Sequence, residues 1–132
     1  MSTVLDIATY IDAQLAALTI GTNLFIGRMP ETPDQCVVVY EYGGTGPTNT
    51  LGTGGAIIES PRIQISTRAT NYTAAETLAR SVWGVLEGIA NKTLSGTLYQ
   101  RVTAIQSPFP LERDSVDRIL FVQNFEVTRN YG

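Results

Sequence analysis

Residues 61–87, PRIQISTRATNYTAAETLARSVWGVLE, join two hydrophobic periods in one short span, and this junction limits the fold more than any other feature. At first the period is two. Ile63, Ile65 and Thr67 alternate with Arg62, Gln64, Ser66 and Arg68, as in a strand with one buried face. Then the period becomes helical, and Leu78, Val82, Val85, Leu86 and Ile89 form a stripe suited to lying on a sheet. Thr73 and Glu76 have the T-x-x-E spacing of a capping box, in which hydroxyl and carboxylate satisfy backbone donors of the first turn. A strand that feeds the helix covering it is scaffold, and the chain must build a sheet with a helical layer.

The remaining elements follow from the same rules. Residues 3–18 place Val4, Ile7, Ala8, Ile11, Leu15 and Leu18 on one helical face, with Ser2 or Thr3 as cap and Gly21 as stop. The second helix is expected over 73–90. Gly84 inside it costs about 1 kcal/mol relative to Ala, a cost accepted where a backbone approaches closely. Strands are expected at 23–28, 36–42, 56–67, 98–106 and 118–129. Residues 36–42 are apolar on both faces and belong inside the sheet, while Pro61 marks an edge or a bulge. Phe121, Phe125 and Val127 share a face that Gln123 interrupts for no reason visible in the sequence. The order α-β-β-β-α-β-β predicts an α/β (more strictly α+β) fold with an antiparallel or mixed sheet and both helices on one face. Residues 1–132 read as a single domain.

Composition removes several classes of function. There is no histidine, which excludes Ser-His-Asp and Cys-His nucleophiles, the H-E-x-x-H zinc motif and the commonest general base. The single cysteine, Cys36, precedes three valines and reads as a small buried apolar residue without a disulfide. No apolar run is long enough to span a membrane. The first residues lack a basic region, and Asp6 and Asp12 interrupt their apolar pattern, which argues against a signal peptide. The net charge of −3 with scattered Lys and Arg is not the basic footprint of a nucleic-acid binder.

Two stretches resist assignment to regular elements. Residues 43–55, GGTGPTNTLGTGG, lack the lysine of a phosphate-binding P-loop and lead into a strand instead of a helix, so they read as a hairpin loop or as a segment ordered by a partner subunit. Residues 107–117 contain Glu112, Asp114 and Asp117, whose spacing fits no calcium loop; neighbouring Arg113 and Arg118 favour a solvated, partly self-neutralising loop, with weak metal binding as the other reading. Trp83 completes the core or anchors an interface. Arg62, Arg68 and Arg101 project from polar strand faces. If the helices cover one side of the sheet, these arginines line the other and are available to a neighbouring subunit.

The strand–helix segment PRIQISTRATNYTAAETLARSVWGVLEG and the closing DRILFVQNFEVTRNY resemble the tail-terminator and minor capsid (tail completion) proteins of long-tailed bacteriophages. The resemblance implies a structural virion protein, not an enzyme. It implies a ring, commonly a hexamer, that caps the tail tube, ends its growth and docks on a neck or head-completion protein. DNA would pass through the bore without sequence-specific binding, and no cofactor, metal or membrane would be involved. Such a protein is made in the bacterial cytoplasm and resides in the tail or neck of the virion. The irregular stretches then become the assembly interface: Gly46, Pro47, Thr48, Asn49, Thr50 and Leu51 in the first, Phe109, Glu112, Arg113 and Asp114 in the second, with Tyr131 near the C-terminus. Two other readings stand beside this one, a head-completion or other neck ring protein and a cytoplasmic ligand-binding module using the glycine-rich loop.

Overall fold

The computed structural model describes residues 3–49 and 56–130, with side chains at all of these except 44–49, 56–57 and 112. Nine elements follow in the order α1 (Thr3–Gln14), β1 (Leu24–Ile26), β2 (Cys36–Asn49), β3 (Ala56–Ala69), α2 (Tyr72–Glu87), β4 (Ala90–Leu94), β5 (Thr97–Ala104), β6 (Phe109–Arg113) and β7 (Ile119–Asn130). The strands form one mixed sheet in the order β1-β2-β3-β7-β5-β4, with β6 also paired to β7. Among the described strands only the β1–β2 pairing is parallel. The expected α+β architecture and element order hold, with two short strands, β4 and β6, added to them.

Both helices lie on one face because one core serves them. Ile7 and Ile11 of α1 and Leu78, Val82 and Leu86 of α2 join Val37, Val39, Ile63, Ile65, Phe125 and Val127 in a single buried cluster. Each such side chain contributes about 1.5–3 kcal/mol on burial, which is why the period-two and period-3.6 stripes find one another. A second cluster of Ala69, Ala75, Ala79, Ile119 and Phe121 continues it beneath the start of α2. Small alanines let the helix approach the sheet there.

Helix α2 starts differently from the capping-box expectation. Asn71 is the N-cap, its Oδ1 accepting the Ala74 N–H at 2.8 Å. Thr73 therefore lies inside the first turn. A Cβ added to Gly84 would meet nothing within 4 Å, so no close backbone approach requires that glycine. Pro61 also departs from expectation. It sits in β3, between β2 and β7, opposite Gly44, where the β3–β7 register runs from Glu59–Arg129 to Arg62–Glu126. The glycine opposite and this interruption accommodate a residue with no N–H inside the sheet.

Both stretches read as irregular contain strand. β2 continues to Asn49 and β3 begins at Ala56, so the glycine-rich region extends a hairpin, with register shifts at Glu41/Gly43 and Thr45/Thr48. In the second stretch, β6 takes the place alongside β7 that β5 leaves vacant. β5 pairs with β7 as far as Phe125, the Ile105 N–H still reaches the Asn124 carbonyl, and β6 then pairs from Val122 to Ile119.

Candidate functional site

The helix-free face of the sheet carries most of the candidate residues, and strand register places them. Arg62 stands beside Glu126, whose other neighbour is Thr103. Arg62 Nε lies 3.5 Å from Glu126 Oε2, an ion pair open to solvent and therefore of small net value. One row further, exposed Arg101 is paired opposite Thr128. A bulge between Tyr99 and Arg101 brings Gln100 to the same side, where its Nε2 donates to Asn130 Oδ1 at 3.2 Å. This part of the face is thus polar, charged in both signs and covered by no helix.

Arg68 does not join it. Although its strand position is on that face, it is only 3% exposed. Its guanidinium donates to the carbonyls of Pro33 at 2.6 Å, Asp34 at 3.1 Å and Glu31 at 3.3 Å. The planar fork is spent holding the segment between β1 and β2 across the sheet, so it is not offered to a neighbour. Arg118 secures the same segment from the other end, donating to the Glu31 carbonyl and to Asp34 Oδ1. Beneath this segment Cys36 is fully buried, and burial pushes its thiol up while Arg68 and Arg118 pull it down.

The turn between β6 and β7 is built on Asp114. Its Oδ1 accepts the N–H groups of Arg118 at 2.9 Å and Val116 at 3.1 Å, and its Oδ2 accepts from Arg118 Nε at 2.8 Å. The Arg118 N–H, more than any other cause, holds this carboxyl below its ordinary range. Arg113 donates to the Asp117 carbonyl at 2.9 Å, closing the turn on itself. With Asp114 saturated in this way, the acidic cluster is turn architecture. Among the described residues no group of His, Cys, Asp and Glu is arranged to hold a metal.

Phe109 is half-buried, opposite Val122. Gly46, Pro47, Thr48 and Asn49 lie in β2 and Glu112 in β6, their side chains outside the described set; Thr50, Leu51 and Tyr131 fall outside the described residues altogether. The structure therefore groups Arg62 and Arg101 on one face, puts Phe109, Arg113 and Asp114 at one edge, and withdraws Arg68.

Several features were not anticipated. Ile105, Leu111 and Val116 are exposed large apolar residues. The apolar residues within the stretch at 107–117 were the available signal. Arg129, Glu59, Asp6 and Tyr99 form a buried polar centre joining α1 to three strands. Tyr99 OH donates to Asp6 Oδ2 at 2.6 Å, and Arg129 reaches Tyr99 OH at 3.1 Å, Glu59 Oε1 at 2.5 Å and Asp6 Oδ2 at 3.6 Å. Burial and then the Asp6 hydrogen bond push the Tyr99 phenol well above its ordinary range. No spacing rule connects residues so far apart in the chain.

A groove of about 500 Å³ lies beside the start of α2, lined by Ala17, Gln35, Asn71, Ala74, Thr77 and Ser81 among others. A smaller one of about 180 Å³ lies between α1 and the β4–β5 turn. Among the described residues no helix is long and apolar enough to cross a membrane.

A family model described as bacteriophage tail terminator protein matches residues 10–131. No curated protein matches the chain. Among solved structures, a chain from the virion of a native gene transfer agent particle shares the fold, with a TM-score of 0.64 over 99% of this chain and 100% of that one at 16% identity.

Proposed function

The chain belongs to the bacteriophage tail terminator family, a family of structural virion proteins, and from that premise we propose that copies of it form a ring capping the tail tube. In this reading the ring is a hexamer, ends tube growth and offers its other side to a neck or head-completion protein. DNA passes through the bore without base readout. The mild net charge of −3 agrees with such a passage, since dense positive charge would hold phosphates back.

One observation carries the reading: the family match runs from α1 through all seven strands, so it includes the β2–β3 hairpin and β6 as well as the core. Supporting it, the candidate residues that reach the surface lie on a polar sheet face and at sheet edges, places suited to contact between subunits.

Negative-stain electron microscopy of the purified protein, alone and mixed with tail tubes, is the test. Rings, or density closing one end of the tubes, are expected. Deleting residues 45–53 should leave a folded subunit that no longer caps tubes. A protein that ignores tubes and binds purified necks instead would transfer the assignment to a neck ring.

A further inference from the structure

Resting on the ring reading, we infer that neighbouring copies join edge to edge, the outer edge of β2 over residues 41–49 adding to the outer edge of β6 in the next copy. β1 covers β2 only at Val37, Val38 and Val39. On that side the Val37 N–H bonds the Asn23 carbonyl and the Val39 carbonyl accepts from Gly27. The same alternation sends the Glu41 N–H and carbonyl outward, where among the described residues no strand lies. Beyond this point β2 is paired with β3 alone. Among the described residues the β3–β7 ladder runs out to Ile58–Asn130, so it is the β2 side of the hairpin that lies open.

Free edges are ordinarily guarded by charge. Residues 43–58 contain no charged side chain. What guards the hairpin is geometry: the register shift at Glu41/Gly43 and Pro47, which has no N–H, divide its edge into short pieces. Open-ended pairing is thereby limited while a matched partner still fits.

The matching edge is β6. It pairs with β7 on one side, and among the described residues no strand lies on its other side. Near it in sequence stand Ile105, Leu111 and Val116, 48%, 45% and 58% exposed, three large apolar side chains that suit the uncharged stretch at 43–49. The alternative edge, β4, carries no exposed large apolar side chain, and Asn91 within it has a φ of 49°, a local irregularity that interrupts pairing. The β2 edge and β6 lie on opposite sides of the sheet, so a copy cannot satisfy its own hairpin. The contact is head-to-tail and not two-fold, the kind of contact a closed ring requires.

Hydrogen exchange read by mass spectrometry, on the intact protein as free subunit and as ring or on tube ends, tests this directly. Amides of residues 41–49 and 109–113 should exchange at least about ten-fold more slowly in the assembled form, with those of β4 unchanged. Rings whose two segments exchange as in the subunit overturn the edge pairing and leave the ring reading intact. Neither rings nor capped tubes overturns both. As a second arm, Thr45→Lys and Leu111→Lys should each retain the wild-type circular dichroism spectrum and melting temperature yet lose rings. Wild-type ring yield from both variants would overturn the inference.

Discussion

Replacing Arg129 with Met removes the cation at the centre of the buried polar group and leaves two carboxylates facing the gap. Asp6 is 2% exposed, whereas the Glu59 side chain keeps 20% of its surface. Breaking a buried pair by deleting one partner costs about 3–5 kcal/mol, because a charge is left uncompensated. Water reaching Glu59 places the expected loss near the lower bound, about 3 kcal/mol. For a domain of this size that is a fall in melting temperature of roughly 12 °C. Tyr99→Phe should cost less, about 1.5 kcal/mol, since it removes the phenol's bonds but leaves Asp6 beside the guanidinium. Adding Asp6→Asn to Arg129→Met should recover part of the loss by removing the orphaned charge, a non-additivity expected of groups in one network. Urea unfolding followed by far-ultraviolet circular dichroism measures all four proteins, provided the midpoint is independent of protein concentration, so that assembly does not contribute. A loss below about 1 kcal/mol for Arg129→Met with an unchanged m value would refute the argument. It would mean that solvent already compensates the two carboxylates.

Three further expectations concern local structure. Asn71→Ala should destabilise by about 1 kcal/mol and Thr73→Ala by much less, which separates the observed cap from the capping box by thermal denaturation. Gly84→Ala should stabilise by about 0.5–1 kcal/mol, since the site is helical and open, and a lowered melting temperature would contradict that reading. Asp114 has a folded pKa below its unfolded value, so its contribution is complete above the ordinary carboxylate value of about 3.9 and is lost as pH falls through the lower folded value. Amide exchange at Val116 and Arg118 should therefore show acid-induced loss of protection, and Asp114→Asn should abolish that pH dependence.

What could be read from the sequence was whatever periodicity or caps encode locally. The stripes of α1 and α2 and the alternations in β3 and β7 carried the fold class because each records one buried face. β4 escaped because Asn91 and Lys92 are exposed edge residues with no alternation to reveal them. β6 escaped because Pro108 and Pro110 read as loop, although β7 supplies the partner that makes a strand of them. Gln123 looked like a defect in the apolar face of β7. It is fully buried, and its Nε2 donates to the Ala79 carbonyl of α2 at 3.1 Å. The withdrawal of Arg68 could not be foreseen either, because its partners are backbone carbonyls more than thirty positions earlier, which carry no residue signature.

The position of β7 has a consequence for when this molecule can exist. It follows the other six described strands in sequence, yet it lies between β3 on one side and β5 and β6 on the other. Until it leaves the ribosome, the two halves of the sheet have no common member, and the apolar faces of β3 and α2 wait without Phe121, Phe125 and Val127 to close against them. Such long-range pairing is slow compared with helix formation. Folding of the sheet thus waits for β7, and a product truncated before β7 cannot supply the strand that unites it.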